Sequence, residues 1–253
     1  MGNNSATSRT TSTTTSTTTN TANPPTQKVP LKPEAELHLL VGSAYGEGDK
    51  ESPYGHTAVY IKLKGKDYIY DFGRYGKTKP ESFGIFTLEG ASSPRGEGVL
   101  RIWSSFDAYI ADENSQGSGT SKTRTTHAYG YRIFDSQAML VLNYYNDLLK
   151  TATLRRTEKY YKSYVLSQDY FALAPNCTTQ SLEATKKAIP SMAKSGHMFV
   201  NADKVLPTTA KLAFKASKYE MPKYLFLPDN LNDYLMKSPD VKVDIKNTYH
   251  LKK

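Results

Sequence analysis

Cys177 is the only cysteine in the chain, and it sits in Ala174-Pro175-Asn176-Cys177-Thr178-Thr179, where the signals for a helix start converge. Asn176 is a preferred N-cap type, so the thiol would fall in the first turn. There it faces unsatisfied N–H groups and the positive end of the helix dipole, which favour thiolate over thiol. A lone thiol otherwise packs in a core, and the two readings part on whether a base lies within reach. The histidines are His38, His56, His127, His197 and His250. His56 stands in Tyr54-Gly55-His56-Thr57, at the mouth of an apolar strand directly after a glycine-rich loop. That placement holds an imidazole rigidly while leaving its tip open to substrate.

An acid follows from hairpin arithmetic. The stretches Thr57 to Leu63 and Tyr68 to Phe72 flank Lys64-Gly65-Lys66, a hairpin signature. With Lys64 and Gly65 in the turn, Leu63 faces Lys66 and Ala58 faces Asp71. Asp71, Ile69 and Asp67 then share a face with His56, and shifting the turn by one residue keeps that parity. Asp71 is the acid nearer the His56 end. It is placed to orient the imidazole through its second nitrogen, which completes a Cys-His-acid triad. Tyr54, two residues before His56, and Asn176, next to the thiol, are the candidates for touching the substrate or its oxyanion.

The elements that must position these groups mix strands and helices, so the expected fold class is α+β. Leu37 to Val41 reads as a strand closed by the loop Gly42 to Gly55. Further strands are expected at Gly98 to Trp103, Tyr129 to Phe134 and Tyr161 to Leu166. Ala138, Val141, Leu142, Tyr145, Leu148 and Leu149 recur at helical spacing, with Asp135 or Ser136 as cap. A second helix is expected from Cys177 to just before Pro190, capped by Asn176. Ala111 to Thr126 is polar and rich in Gly and Ser, which predicts a long mobile loop. The proline-punctuated last 60 residues read as short strand-like and loop pieces.

Residues 1–33 are Thr- and Ser-rich and then Pro-rich, too polar to offset their ordering entropy, and are expected to form a disordered tether. Residues 34–253 make up the folded domain. The tether has no apolar h-region, so no Sec signal is read in it. No run nears the roughly 18 apolar residues of a membrane span, so a soluble protein without a transmembrane segment is expected. The formal charge is +9, from 33 Lys plus Arg against 24 Asp plus Glu, and about +6 of it lies beyond the tether. That excess suits anionic surroundings without choosing among them. A single thiol excludes a disulfide framework and multi-thiolate metal sites. The histidines show no H-x-x-x-H pair, so no metal and no cofactor is expected. Gly117 to Thr123 lacks the adjacent Gly-Lys of a phosphate loop, and Gly42 to Gly55 opens a strand rather than a dinucleotide site. The 19 tyrosines have no nucleic-acid motif beside them, so no nucleic acid is expected as partner.

With Tyr54-Gly55-His56-Thr57 at a strand start and Asn176-Cys177-Thr178-Thr179 at a helix start, in the order His then Cys, the chain resembles a known group. It is the circularly permuted branch of the NlpC-like papain-fold cysteine peptidases, over roughly residues 37–190. That branch holds bacterial cell-wall hydrolases, some of them interbacterial toxins, and the lecithin-retinol acyltransferase relatives. The resemblance implies a permuted papain-like fold, an antiparallel sheet packed against helices, with Cys177 as nucleophile, His56 as base and Asp71 as orienting group. His56 precedes Cys177 by 121 positions, so the intervening segments would be insertions, and residues 191–253 a C-terminal extension.

The expected function is a thiol-dependent amidohydrolase cleaving peptide bonds of peptidoglycan, as an antibacterial effector of the type VI secretion kind. It would be made in the cytoplasm, exported by a signal-independent route and active in the target cell periplasm. A secretion carrier and an immunity protein are the partners this adds. Two other readings stay open: a thiol acyltransferase or lipase acting on lipids, which an apolar groove beside Cys177 would favour, and a non-catalytic basic envelope-binding module. The module reading requires Cys177 to be buried and His56 out of hydrogen-bond reach.

Overall fold

The computed structural model describes residues 1–2, 32–47, 53–83, 86–201, 211 and 222–251. Contacts divide the chain into residues 1–31 and 32–253, and the expected tether lies almost wholly outside the described residues.

Strand β1 (Ala35–Gly42) is followed by the hairpin β2 (His56–Leu63) and β3 (Lys66–Gly73). Lys64 and Gly65 both adopt positive φ, 51° and 74°, a turn whose twist matches that of the strands it joins. Leu63 pairs with Lys66 and Ala58 with Asp71, the register expected from the turn. Two short strands, β4 (Thr78–Lys79) and β5 (Glu81–Phe83), precede β6 (Phe86–Leu88), and β5 pairs with β6 apart from the main sheet. Next come β7 (Arg95–Trp103), α1 (Phe106–Asn114), β8 (Thr126–Ile133) and α2 (Asp135–Leu149). The remaining elements are β9 (Thr153–Thr157), β10 (Tyr161–Phe171), α3 (Cys177–Ala188), α4 (Pro228–Lys237) and β11 (Ile245–Tyr249).

The main sheet runs β11-β8-β1-β2-β3-β7-β10-β9, with β4 joined to β7, and every pairing is antiparallel. The fold is α+β. Because side chains alternate along a strand, the central strands feed two cores. Leu37, Leu39, Val59, Ile61, Tyr70, Phe72 and Leu100 pack on one face with α2, α3 and α4. Leu40, Ala58, Tyr60, Ile69 and Trp103 pack on the other with α1. The central strands are therefore covered on both sides, which is why β2 reads as a nearly unbroken apolar run. Tyr145 of α2 stacks on Tyr70 with ring centroids 3.8 Å apart, locking helix to sheet.

Three local expectations change. The α2 cap position is Phe134, ahead of the expected Asp135 or Ser136, because the Gln137 side chain reaches back to accept from the Phe134 N–H at 3.0 Å. The stretch 111–126 is not a free loop: α1 runs through Asn114, Glu113 forms a buried ion pair with Arg124, and Thr126 Oγ1 donates to Asn114 at 2.7 Å. In the C-terminal region Pro228 starts a helix rather than breaking one, since the first helical position needs no N–H. Among the described residues no helix is long and apolar enough to cross a membrane.

The entry to β2 depends on a glycine. Gly55 has φ +70°, and a Cβ there would lie 2.5 Å from the Gly42 carbonyl oxygen on the neighbouring strand. Gly55→Ala should therefore cost about 1–3 kcal/mol of stability. Urea unfolding checks this, and an unchanged midpoint would show that the loop relaxes freely.

Candidate active site

The site forms at the sheet end where β1 and β3 finish and β2 begins. Helix α3 starts there because Asn176 Oδ1 accepts from the Thr179 N–H at 3.0 Å while Thr179 Oγ1 accepts from the Asn176 N–H at 2.9 Å. Such a reciprocal cap contributes about 1 kcal/mol and fixes the first turn. The Asn176 amide nitrogen donates to the carbonyls of Ala172 at 2.7 Å and Phe226 at 3.0 Å. Its side chain is thus engaged in anchoring the helix start, not directed at a substrate. The first helical residue is Cys177, 5% exposed.

The thiol meets His56. The His56 ring, the Thr57 backbone N–H and the Thr178 side chain lie close enough to the sulfur to act on its ionisation. The Thr57 and Thr178 hydroxyls lie 3.2 Å apart, tying β2 to α3 beside the sulfur. Burial alone would raise the thiol pKa, but the His56 charge and these neighbouring donors prevail and hold it below its usual value. Burial likewise works against a charged His56. Asp71, Glu113 and the Cys177 sulfur outweigh it and raise the imidazole well above its ordinary value. Opposite shifts on neighbouring thiol and imidazole favour a thiolate–imidazolium pair.

Asp71 orients that imidazole. His56 Nε2 donates to Asp71 Oδ1 at 2.6 Å, which leaves Nδ1 for the sulfur. The Tyr75 hydroxyl donates to the same oxygen at 2.9 Å and lies 3.2 Å from Nε2. Arg101 stands directly across from Asp71 in the β3–β7 register, and its Nε donates to Asp71 Oδ2 at 2.6 Å. It also reaches Asp112 at 3.2 Å and stacks over the Tyr75 ring, 4.0 Å from the centroid. Asp71 is fully buried. Desolvation opposes its charge, but Arg101 and His56 hold the carboxyl well below its ordinary range.

A second buried acid adds to the field. Glu113 of α1, paired with Arg124, acts on His56 through its charge. Gly42, paired with His56 across the strands, makes room for it: a Cβ at Gly42 would lie 2.8 Å from Arg124 Cδ and 2.9 Å from Glu113 Oε1. On the sulfur side, the Tyr170 phenol near the end of β10 is close enough to Cys177 for the two to influence each other's ionisation. Tyr54 is 42% exposed and close enough to Tyr170 to influence its ionisation.

The structure thus gathers Cys177, His56 and Asp71 at one point, leaves Tyr54 beside it and assigns Asn176 to the helix cap. Arg101, Tyr75, Glu113 and Tyr170 were not anticipated. Arg101 had a readable signal, a charge inside the apolar strand Gly98 to Trp103; Tyr170 had none. His38, His127 and His250 pair with Glu36, Thr248 and Thr125, away from the thiol. Among the described residues no group of His, Cys, Asp and Glu is gathered to hold a metal ion. Cys177 is buried, as a non-catalytic module requires, and His56 is near enough for its charge to act on the sulfur. No protein-family model matches the chain, and no curated protein or solved structure shows significant similarity to it.

Proposed function

We propose that this protein is a cysteine hydrolase acting on amide bonds, on a permuted papain-like scaffold, with the peptide part of peptidoglycan as its substrate. The observation that carries the reading is the proximity of Cys177 at the start of α3 to His56, which the buried Asp71 orients. The Cys177 thiolate attacks the amide carbonyl, and the Cys177 backbone N–H at the helix start donates to the developing oxyanion. Protonated His56 then delivers its Nδ1 proton to the leaving amine. A water deprotonated by His56 releases the acyl group and restores the pair.

Two features bear on the substrate. The formal charge of +9 suits an anionic envelope polymer. A cavity of about 950 Å³ is lined by Leu173, Ala174 and Pro175, just before the thiol, together with Lys79, Arg95, Gln168, Asp169 and Lys223. That wall mixes these charged and amide groups with the apolar faces of Phe171, Pro222 and Tyr224, which suits a peptide carrying both kinds of side chain. Export on a secretion carrier, neutralised at home by an immunity protein, is the biological setting this reading fits.

Digestion of purified peptidoglycan by the wild-type protein and by Cys177→Ala, with mass spectrometry of the fragments, tests it. New amine ends are expected from the wild type alone. Intact polymer with both proteins folded would overturn the cell-wall reading.

A further inference from the structure

The Asp71 carboxylate has two oxygens, and only one of them meets the imidazole. Oδ1 accepts from His56 Nε2 at 2.6 Å and from the Tyr75 hydroxyl at 2.9 Å. Oδ2 is given to Arg101, accepting from Nε at 2.6 Å and from a terminal nitrogen of the same guanidinium. With both oxygens held by opposed donors, the carboxylate cannot turn without breaking several charge-assisted hydrogen bonds.

Arg101 is itself fixed from several sides. Its side chain is largely buried, one terminal nitrogen donates to the Tyr75 hydroxyl at 3.1 Å, and the other donates to Asp112 at 3.2 Å. The guanidinium plane lies over the Tyr75 ring, 4.0 Å from its centroid. One side chain of β7 therefore ties together β3, the segment after β3 and α1, a task that needs several donors in one rigid plane. The other titratable groups acting on this cluster are His56 from β2, Cys177 from α3, and Tyr109 and Glu113 from α1, Glu113 being paired with Arg124. Among the described residues, Arg101 is the one permanent cation paired with Asp71.

Removing that cation would leave a buried carboxylate facing only the imidazole, and the network, thiol included, one positive charge short. Every group in it would then hold its proton more tightly. We propose that Arg101 is a positioning residue of the thiol site, acting through Asp71: it pins Oδ1 toward His56 and so holds the protonated ring toward Cys177. The proposal rests on the thiol–imidazole pair of the hydrolase reading and not on its substrate.

Alkylation of Cys177 by iodoacetamide across pH, in the wild type, Arg101→Gln and Arg101→Lys, tests this beside circular dichroism melts. Gln keeps a donor without the charge, and Lys keeps the charge without the planar array of donors. In Arg101→Gln the alkylation midpoint should move up by about one unit, so that below both midpoints the rate falls about tenfold. Arg101→Lys should recover part of that loss. A folded Arg101→Gln with a lowered melting temperature but the wild-type midpoint would make Arg101 merely structural and overturn the proposal. If Arg101→Gln does not fold, Arg101→Lys and Tyr75→Phe carry the test, and wild-type midpoints in both overturn it equally. An ordinary thiol midpoint in the wild type would remove the thiol–imidazole pair and the role of Arg101 with it. Intact peptidoglycan alongside the expected shifts would instead overturn the cell-wall reading and leave Arg101 its role.

Discussion

Asp71→Ala should lower the melting temperature by on the order of 10 °C, corresponding to about 3–5 kcal/mol. The carboxylate is fully buried and receives hydrogen bonds from His56, Tyr75 and Arg101, so its removal leaves a largely buried guanidinium without its main partner. The effect has a pH signature. Asp71 is held below its ordinary value of 3.8, so its contribution is complete above that pH and is lost as pH falls through the lower folded value. The stability gap between wild type and Asp71→Ala should therefore be full at pH 6 and shrink from about pH 4 downward. Asp71→Asn separates the two roles: it keeps an acceptor for His56 Nε2 but leaves Arg101 unneutralised. It should restore thiol reactivity more than stability. Thermal melts across pH, with iodoacetamide kinetics, check both, and a pH-independent gap would show that the carboxylate charge is not the source.

The second large effect is expected at the thiol. Alkylation of Cys177 by iodoacetamide follows the thiolate population, so its rate should rise with pH about a midpoint below the usual thiol value of 9.0. His56→Ala removes the largest influence holding that midpoint down, leaving burial to push it up. The rate at pH 7 should fall roughly tenfold or more, each unit of pKa being a factor of ten in thiolate. For the proposed hydrolysis, the active pair needs a deprotonated sulfur and a protonated ring. Activity should rise through the lowered Cys177 pKa and fall only above the raised His56 pKa. An alkylation profile identical in wild type and His56→Ala would remove His56 from the site.

Much of the triad was legible because it rests on local rules. The Lys64-Gly65 turn sets the β2–β3 register, and register alone brings Asp71 onto the His56 face, since a one-residue slip would move every side chain to the other side. Asn176 and Thr179 announce the start of α3 and so the position of the thiol within it. Where those rules gave no contrast, the elements went unseen. β9 is exposed throughout and β11 largely so, and edge strands without an apolar face carry no alternation to read. Helix α1 lies within a polar, Ser- and Gly-rich neighbourhood, and its Ser105 cap was not enough to mark it.

What the sequence determined by itself, then, is the chemistry and its local geometry: a single thiol at a helix start, and an imidazole and an acid matched across one hairpin. Only the tertiary structure decided that these two local pieces, 121 positions apart, meet. It also decided that Arg101, Tyr75 and Glu113 surround them, because the pairing of β3 with β7 and the packing of α1 are long-range contacts. The physical reason is the range of the forces. Turn, cap and alternation act over a few residues and leave a mark there, whereas the closing of a buried charge network depends on which distant surfaces exclude water together.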